Sequence, residues 1–443
     1  MPMRLLHLTA GAGGMYCGSC LRDNALATEL LVRGHDVSLL PVYTPTRTDE
    51  ANRSDGHVFF GGLSVYLQQH VPLLRRTPAV LDFLWDIPAV IKAAAGRGVS
   101  VDPHALGELT LSTLRGEDGF QAKEVRKLVH YLEGQPPFDA ILLPVSLLIG
   151  LAAPIKRALG RPVVCTLQGE DLFLDALSAA HRDEAKALIR GHAPKVDAFV
   201  ATSDYYAAYM ATYLGIDRAK IHTVPIGISL DGHEPAPRER SGPFTLGYLA
   251  RIAPEKGLHL LAEAYRILRQ ELGLPPSRLR AAGYLAPEHR AYLAEIEGRL
   301  RGWGLADEFH YDGEVDRTGK IAFLNSLDVL SVPSPYAEPK GLYLLEAMAN
   351  GVPWVEPRHG AFVEMHEKTG GGLLFTPGDA ADLARQVLTL ASDPGRAADL
   401  GRRGATGVRA HYSAARMADR ALEVYAGLFG DAAARPVRAA AGA

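Results

Sequence analysis

This 443-residue sequence has few cysteines, lacks a long apolar run and has no large excess of either charge. Three cysteines are too few for a disulfide framework in a chain of this length, so a reducing, cytoplasmic setting is expected. The longest apolar stretch, residues 141–155, is too short to span a membrane and is interrupted by two prolines and a glycine. Because 47 Lys and Arg residues nearly balance 50 Asp and Glu, no basic surface for nucleic acid is indicated. We expect neither stable membrane insertion nor a nucleic-acid partner.

Short apolar runs alternate with longer amphipathic segments along most of the chain. This alternation is typical of βα units and parallel sheets, and it predicts an α/β fold. Helices are predicted at 21–33 and 205–213, among others. Residues 43–137 interrupt the alternation and indicate an insertion or an additional helical layer. The predicted strands are 4–9, 36–42, 140–143, 163–167, 198–201, 221–224, 244–249, 279–282, 309–311, 329–332, 352–356 and 373–375.

A turn-rich, charged stretch at 231–243 divides the sequence into two halves. It carries three prolines among charged residues, a composition typical of an interdomain linker. The βα alternation restarts after it, which predicts two Rossmann-like domains facing a cleft, at 1–230 and 244–412. A helix is predicted near 413–430, and the Ala- and Arg-rich tail at 431–443 is expected to be poorly ordered.

A glycine-rich turn follows the first predicted strand. Gly13 and Gly14 lie between that strand and the helix predicted at 21–33. Glycines in such a turn let backbone N–H groups approach a phosphate or a sugar at the positive end of a helix. Tyr16 stands where a dinucleotide-binding fingerprint requires its third glycine, so that fingerprint is absent. A tight turn that binds no ligand is the alternative interpretation.

Two of the three cysteines form a C-x-x-C motif near the same turn. Cys17 and Cys20 lie where a helix dipole can lower a thiol pKa, which would suit a redox pair. A zinc site would need further ligands at close spacing, and Cys165 stands apart from the motif. Packed thiols are therefore favoured, and no metal site is predicted.

The clearest cationic motif lies just after the first strand of the second half. Arg251 and Lys256 occupy the loop that follows the strand predicted at 244–249. Open α/β sheets bind ligands at the carboxyl ends of their strands, so this loop is well placed. A forked guanidinium and a compact ammonium suit a diphosphate whose charge must be neutralised, although loop cations are often only solvated.

A second motif follows the strand predicted at 329–332. A helix is predicted to begin at Gly341, so the free N–H groups of Gly341, Leu342 and Tyr343 are candidates to hold a phosphate. Glu346 lies one turn along the helix, where it could accept hydrogen bonds from ribose hydroxyls. Glu338 precedes the helix and could hold sugar hydroxyls. The alternative is an ordinary capped surface helix.

Three glycine-bearing segments follow in the second half. They are residues 360–364, 370–372 and 377–379, and each flanks a predicted strand. We expect them to wall the same cleft if they lie at the same edge of the sheet.

Together these motifs resemble those of glycosyltransferase family 4, a family of retaining enzymes in the GT-B superfamily. Glu338 and Glu346, with seven residues between them, match the family's E-x7-E motif, and Arg251 with Lys256 matches its Arg/Lys pair for the diphosphate. The resemblance covers nearly the whole chain but specifies no substrate. The other matching segments are 13–14, 30–37 and 373–379.

The resemblance implies a fold and an activity. The first domain would bind the acceptor, the second would bind the nucleotide sugar, and the helix at 413–430 would cross back to the first domain. The activity would be retaining, metal-independent transfer of a hexosyl unit from a nucleoside diphosphate sugar to a sugar, lipid or small-molecule acceptor. No cofactor beyond this co-substrate is implied. Front-face substitution, with the leaving phosphate accepting the acceptor's proton, would be the mechanism.

The resemblance also implies roles for individual residues. Arg251, Lys256 and the N–H groups after Gly341 would stabilise the leaving diphosphate, and Glu338 would hold the sugar. Gln168 stands where the family commonly has a histidine, and Lys340 stands where it often has phenylalanine. The remaining donor-binding candidates are Gly13, Gly14, Gln168, Leu342, Tyr343 and Glu346.

Other functions fit parts of the sequence. A sugar-nucleotide epimerase or a non-catalytic nucleotide-sugar-binding protein would share the fold, and a thiol oxidoreductase would use Cys17 and Cys20. A phosphorylase is disfavoured because no lysine context suggests pyridoxal phosphate. Four aromatic residues of the insertion, Phe59, Phe60, Tyr66 and Trp85, are candidates for acceptor contacts or for the core.

Overall fold

The computed structural model describes residues 2–11, 16–55, 58, 103–235 and 242–432. The chain divides into two compact units, the first comprising Met1–Thr202, Tyr206–Val224 and Ala418–Ala443, and the second Ser203–Tyr205 and Pro225–Met417. About half of the predicted insertion, including its four named aromatic residues, lies outside the described residues, as do Gly13, Gly14 and most of the tail. Within the described part, none of the helices combines the length and apolar character that crossing a bilayer requires.

The described part of the first unit contains a parallel sheet of six strands in the order β2-β1-β3-β4-β5-β6. The strands are β1 (Arg4–Thr9), β2 (Asp36–Pro41), β3 (Ala140–Leu143), β4 (Val163–Leu167), β5 (Ala198–Ala201) and β6 (Ile221–Thr223). The helices are α1 (Gly18–Val32), α2 (Pro103–Leu114), α3 (Ala122–Glu133), α4 (Ala152–Leu159), α5 (Glu170–Asp175), α6 (Ala179–His192) and α7 (Asp204–Leu214).

The described part of the second unit also contains a parallel sheet of six strands, in the order β12-β11-β10-β7-β8-β9. The strands are β7 (Thr245–Leu249), β8 (Arg278–Ala282), β9 (Phe309–Tyr311), β10 (Val329–Leu330), β11 (Trp354–Pro357) and β12 (Gly372–Phe375). The helices are α8 (Leu258–Gln270), α9 (Arg290–Gly302), α10 (Arg317–Asn325), α11 (Leu342–Ala349), α12 (Ala361–Thr369), α13 (Ala380–Ser392) and α14 (Pro394–His411).

Burial explains why these segments form strands. Every residue of β3, β4, β5 and β7 is buried, because helices cover both faces of a parallel sheet. The strands are therefore continuous apolar runs rather than alternating ones. All twelve predicted strands are present, with ends that differ by at most two residues. The prediction of two Rossmann-like parallel sheets is confirmed.

The last described helix, α15 (Ala414–Ala432), returns the chain to the first unit. Asp419 accepts a hydrogen bond from Arg33 at the end of α1, with 2.5 Å between Nη1 and Oδ1. Tyr425 is buried in the same unit. The predicted crossing helix is confirmed, and it continues two residues beyond the end at 430 that was predicted for it.

Candidate functional site

The site predicted in the second half lies at a change of direction in the second sheet. The chain leaves β7 toward β8 on one side, and it leaves β10 toward β11 on the other, although β7 and β10 are neighbours. The loops that follow these two strands therefore diverge at the carboxyl edge and leave a crevice. Open α/β sheets bind their ligands at such a switch point.

The two loops contact each other closely where they leave the sheet. Gly257, at the end of the loop after β7, has a φ of 75°, and a Cβ there would lie 2.1 Å from the carbonyl oxygen of Pro333. Ser334 donates a hydrogen bond to the carbonyl oxygen of Glu255 at 2.8 Å. Only glycine fits at position 257. The contacts between the two loops keep the residues that they carry close together.

An ion pair joins the two loops at the crevice. The ammonium of Lys256 contacts Oε2 of Glu338, and their side chains are only 15% and 6% exposed. Lys256 Nζ also lies 5.9 Å from the ring centre of Tyr343. The structure therefore brings together three predicted site residues, one from the loop after β7 and two from the segment after β10.

Several neighbours stabilise the charge of Glu338. Burial acts to raise the pKa of its carboxyl, but Lys256, Lys340 and the Gly341 N–H outweigh burial and hold that pKa below its ordinary value. Glu338 is thus a carboxylate at neutral pH, and it can accept hydrogen bonds from hydroxyl groups. Its backbone oxygen accepts a further hydrogen bond from the Ala361 N–H at 2.8 Å, which fixes the backbone at this point.

Helix α11 begins at the same crevice. Gly341 is its N-cap, with a φ of 61°, and its own N–H is directed to the carboxylate of Glu338. The N–H groups of Leu342 and Tyr343 lie in the first turn, where a helix offers no acceptor of its own. The positive end of the helix dipole and the ammonium of Lys256 therefore both favour an anion here.

The other two predicted residues of this site each have an acidic or basic partner. Glu346, in the second turn of α11, pairs with Lys320 of α10 at 2.5 Å. Arg251 pairs with Glu255 at 3.0 Å. Its side chain is 41% exposed, so it is more accessible than Lys256, whose side chain is 15% exposed. The sequence pattern gave no indication of Lys320, because a single lysine in a helix is usually solvated.

A buried acid that the sequence analysis missed lies close to this cluster. Glu356 of β11 accepts a hydrogen bond from the Val332 N–H at 2.8 Å, while its Oε2 atom is buried without a partner among the described residues. Burial first, and then the charge of Glu338, raise the pKa of Glu356 well above its ordinary value, although Val332 and Lys256 oppose the shift. An acid within an otherwise apolar strand was the signal available in the sequence.

The glycine-bearing segments occupy both edges of the second sheet. Gly360 and Gly378 follow β11 and β12, as expected for one wall, but residues 370–372 precede or begin β12 and so lie at the opposite edge. The condition of a common edge is therefore not met by that segment. Packing accounts for its glycines, since a Cβ at Gly372 would lie 2.2 Å from the ring of Trp354.

Replacing Gly360 by alanine is expected to destabilise the protein by roughly 2–4 kcal/mol and to disturb the site. Gly360 has a φ of 59° and a ψ of −151°, and a Cβ there would lie 2.6 Å from the carbonyl oxygen of Glu338. Gly378→Ala is the matched control, because Gly378 also has a positive φ but has no atom within 4 Å of a Cβ. Thermal denaturation of both variants measures the difference. Equal losses of stability would show that backbone strain alone, without the contact at Glu338, determines the effect.

In the first unit, Gln168 follows β4 and is buried. Its amide donates a hydrogen bond to the carbonyl oxygen of Pro144 at 2.8 Å, while Oε1 has no partner among the described residues. Its backbone N–H is held by Glu170 at 2.7 Å, and Glu170 also accepts from the Ser146 hydroxyl. Pro144 and Gln168 follow neighbouring strands of the first sheet, so Gln168 lies at the carboxyl edge of that sheet.

The two cysteines of the C-x-x-C motif lie at the start of α1. Cys17 caps α1, and Cys20 is buried one turn along. A hydrogen bond with Cys17, followed by burial, raises the pKa of the Cys20 thiol. In the described part of the chain, His, Cys, Asp and Glu side chains form no group of three that could hold a metal ion.

Comparison with known proteins shows the family to which the chain belongs. Residues 24–227 match the family model described as "Glycosyl transferase 4-like domain", and residues 233–406 match "Glycosyl transferases group 1". The crystal structure of HepE from Anabaena, in complex with UDP and glucose, has the same fold, with a TM-score of 0.69 at 18% identity over 96% of this chain and 99% of that one. The two parallel sheets thus define a GT-B protein. The chain belongs to the group 1 glycosyltransferases, family 4, a family of sugar-transferring enzymes.

Two curated relatives match part of the chain. A D-inositol 3-phosphate glycosyltransferase 2 from Catenulispora acidiphila is 29% identical over 51% of this chain and 56% of its own length. A 2-deoxystreptamine glucosyltransferase from Streptomyces kanamyceticus is 27% identical over 55% of this chain and 65% of its own length. The match thus spans between half and two thirds of each relative.

Proposed function

We propose that this protein is a retaining, metal-independent glycosyltransferase that moves a hexosyl unit from a nucleoside diphosphate sugar to a hydroxyl acceptor. The observation that carries the proposal is the Lys256 ammonium, on a side chain only 15% exposed, beside the first turn of α11 at the switch point of the second sheet. An ammonium and a helix N-terminus in one crevice suit a diphosphate, and membership of the group 1 family supports a sugar as the other part of the donor.

The two cations and the helix would act on the leaving group. As the bond between the anomeric carbon and the diphosphate oxygen breaks, negative charge grows on that oxygen. Lys256, Arg251 and the N–H groups of Leu342 and Tyr343 would stabilise this charge, which is electrostatic catalysis by groups already in place. The acceptor oxygen would form the new bond on the same face of the sugar, and its proton would pass to the departing phosphate oxygen. No separate base is required.

The carboxylates would hold the donor's hydroxyl groups. Glu338, kept ionised by Lys256, Lys340 and the Gly341 N–H, would accept hydrogen bonds from the hexose. Glu346, one turn along α11, would accept from the ribose. Gly13, Gly14 and Gln168 remain the donor-binding candidates of the first unit.

A turnover assay tests this proposal. The protein is incubated with UDP-, GDP- and ADP-sugars, with and without EDTA, and with inositol phosphate or 2-deoxystreptamine, the acceptors named for its relatives. Release of the nucleoside diphosphate and the anomeric configuration of the product, read by proton NMR, are measured. We expect one nucleotide to be selected, no effect of EDTA, and retention of the donor's configuration.

The alternatives give different results in the same assay. An inverted product or loss of turnover with EDTA would contradict the proposed mechanism. An epimerised nucleotide sugar without transfer would indicate an epimerase. Nucleotide binding without any turnover would indicate a non-catalytic binding protein.

A further inference from the structure

The partner of Glu346 is a buried lysine for which the proposed reaction provides no role. Lys320 Nζ lies 2.5 Å from Oε1 of Glu346, and the two side chains are 10% and 12% exposed. Lys320 belongs to the first two turns of α10, and Glu346 lies in the second turn of α11. The pair therefore connects two helices from different parts of the second unit, close to the end of α11 where the anion site begins.

Both helices are held firmly at this point. Asp316 caps α10 by accepting a hydrogen bond from the Gly319 N–H at 2.8 Å, and its carbonyl accepts from Lys320 N at 2.7 Å. At the end of α11, Asn350 donates to the carbonyl oxygen of Glu346 at 2.8 Å. The two charged groups thus extend from backbone positions that these hydrogen bonds hold in place.

Stability alone does not account for a pair of this kind. Withdrawing an ammonium and a carboxylate from water costs several kcal/mol, and well-packed apolar residues in place of such a pair are often as stable or more stable. A buried pair at the edge of a binding crevice is better explained by recognition. A carboxylate only accepts hydrogen bonds, whereas an ammonium only donates them.

A hydroxyl group is the ligand that matches such a pair. Its hydrogen can be donated to a carboxylate oxygen while its own oxygen accepts from the ammonium, so one hydroxyl satisfies both charged groups. Charged partners strengthen each of these hydrogen bonds about twofold relative to neutral ones. A deoxy analogue would leave both groups without the bonds that the hydroxyl supplies, which is how a site rejects a ligand that lacks one hydroxyl.

We propose that Lys320 is a specificity-determining residue, which together with Glu346 recognises the ribose hydroxyls of the donor nucleotide and so distinguishes ribonucleotides from 2′-deoxyribonucleotides. This inference depends on the proposed function, in which Glu346 contacts the ribose. It adds a second, cationic group to that contact and assigns it a measurable selectivity.

The test is a comparison of ligands across variants. Dissociation constants for the preferred nucleoside diphosphate and its 2′-deoxy form, for example UDP and 2′-deoxy-UDP, are measured by calorimetry. The wild type is expected to prefer the ribonucleotide by roughly tenfold or more, as hydrogen bonds to charged groups allow. Lys320→Met should reduce this preference to about twofold or less, and Lys320→Arg should retain most of it.

A second variant distinguishes loss of recognition from misfolding. Lys320→Met leaves Glu346 without its ion-pair partner, so Lys320→Met/Glu346→Gln, which removes both charges, is measured beside it and should also lack the preference. An equal loss of affinity for both ligands, with the preference unchanged, would show a structural role and overturn the assignment of Lys320. Absence of any nucleoside diphosphate binding to the wild type would instead overturn the proposed function, and this inference with it.

Discussion

Replacement of Lys256 by methionine is expected to lower kcat/KM for sugar transfer by about 10²- to 10³-fold, the effect of removing one preorganised group that stabilises a developing negative charge. Methionine keeps the length of the side chain and removes the charge. The same change also leaves Glu338 buried without its main partner, so we expect a loss of stability of about 3 kcal/mol. Steady-state kinetics and chemical denaturation measure the two effects separately.

A double variant separates the chemistry from the folding. Lys256→Met/Glu338→Gln removes both charges, so it should recover most of the lost stability while it remains as inactive as the single variant or more so. Lys156→Met serves as the matched control, because Lys156 pairs with Asp197 at 2.6 Å in the first unit and has no assigned role. It should lose about 1 kcal/mol at most and keep its activity. Transfer at the wild-type rate by the double variant would contradict the role given to Lys256.

Replacement of Glu356 by glutamine is expected to change how stability depends on pH. Burial raises the pKa of Glu356 in the folded protein, so above about pH 4.5, the region where an unfolded glutamate loses its proton, the folded state binds one proton more than the unfolded state. Stability then falls as pH rises, by about 1.4 kcal/mol per pH unit, until the folded pKa is passed. Glutamine has no proton to lose, so the variant should lack this contribution.

The expected difference is large enough for simple measurement. As the pH rises above about 4.5, the Glu356→Gln variant should gain stability relative to the wild type, as followed by chemical denaturation at several pH values. The exposed Glu288, changed to glutamine, serves as the control and should leave the wild-type profile unchanged. Parallel profiles for the wild type and Glu356→Gln would show that Glu356 is ionised in the folded protein.

Much of the fold could be predicted because of how parallel sheets are buried. Strands such as β4 and β7, with every residue buried, must be short continuous apolar runs, and these can be found without knowledge of their neighbours. The positions of Lys256 and Gly341 followed from the rule that ligands bind where parallel strands end. Residues 370–372 are an exception to this rule, because the sequence does not show whether a glycine run before or after a strand lies at the binding edge. Packing against Trp354 explains the glycine at position 372.

The pairing of charged residues could not be predicted. Lys256 and Glu338 were assigned to the diphosphate and to the sugar separately, yet they contact each other. Lys320 and Glu346 are 26 positions apart on different helices, and no spacing rule connects them. Such contacts depend on the tertiary positions of loops and helices, whereas periodicity reports only local structure and which face is buried.

The most direct measurement of the central claim is a thermal-shift titration with UDP, GDP and ADP, with and without EDTA, on the wild type and on Glu346→Ala. A ligand at a hundredfold excess over its Kd stabilises the folded state by about 2.7 kcal/mol, which is readily detected. The account predicts that one nucleotide raises the melting temperature, that EDTA does not change the shift, and that Glu346→Ala diminishes it. No shift with any nucleotide, or an undiminished shift in Glu346→Ala, would contradict a donor site on the second unit built around α11.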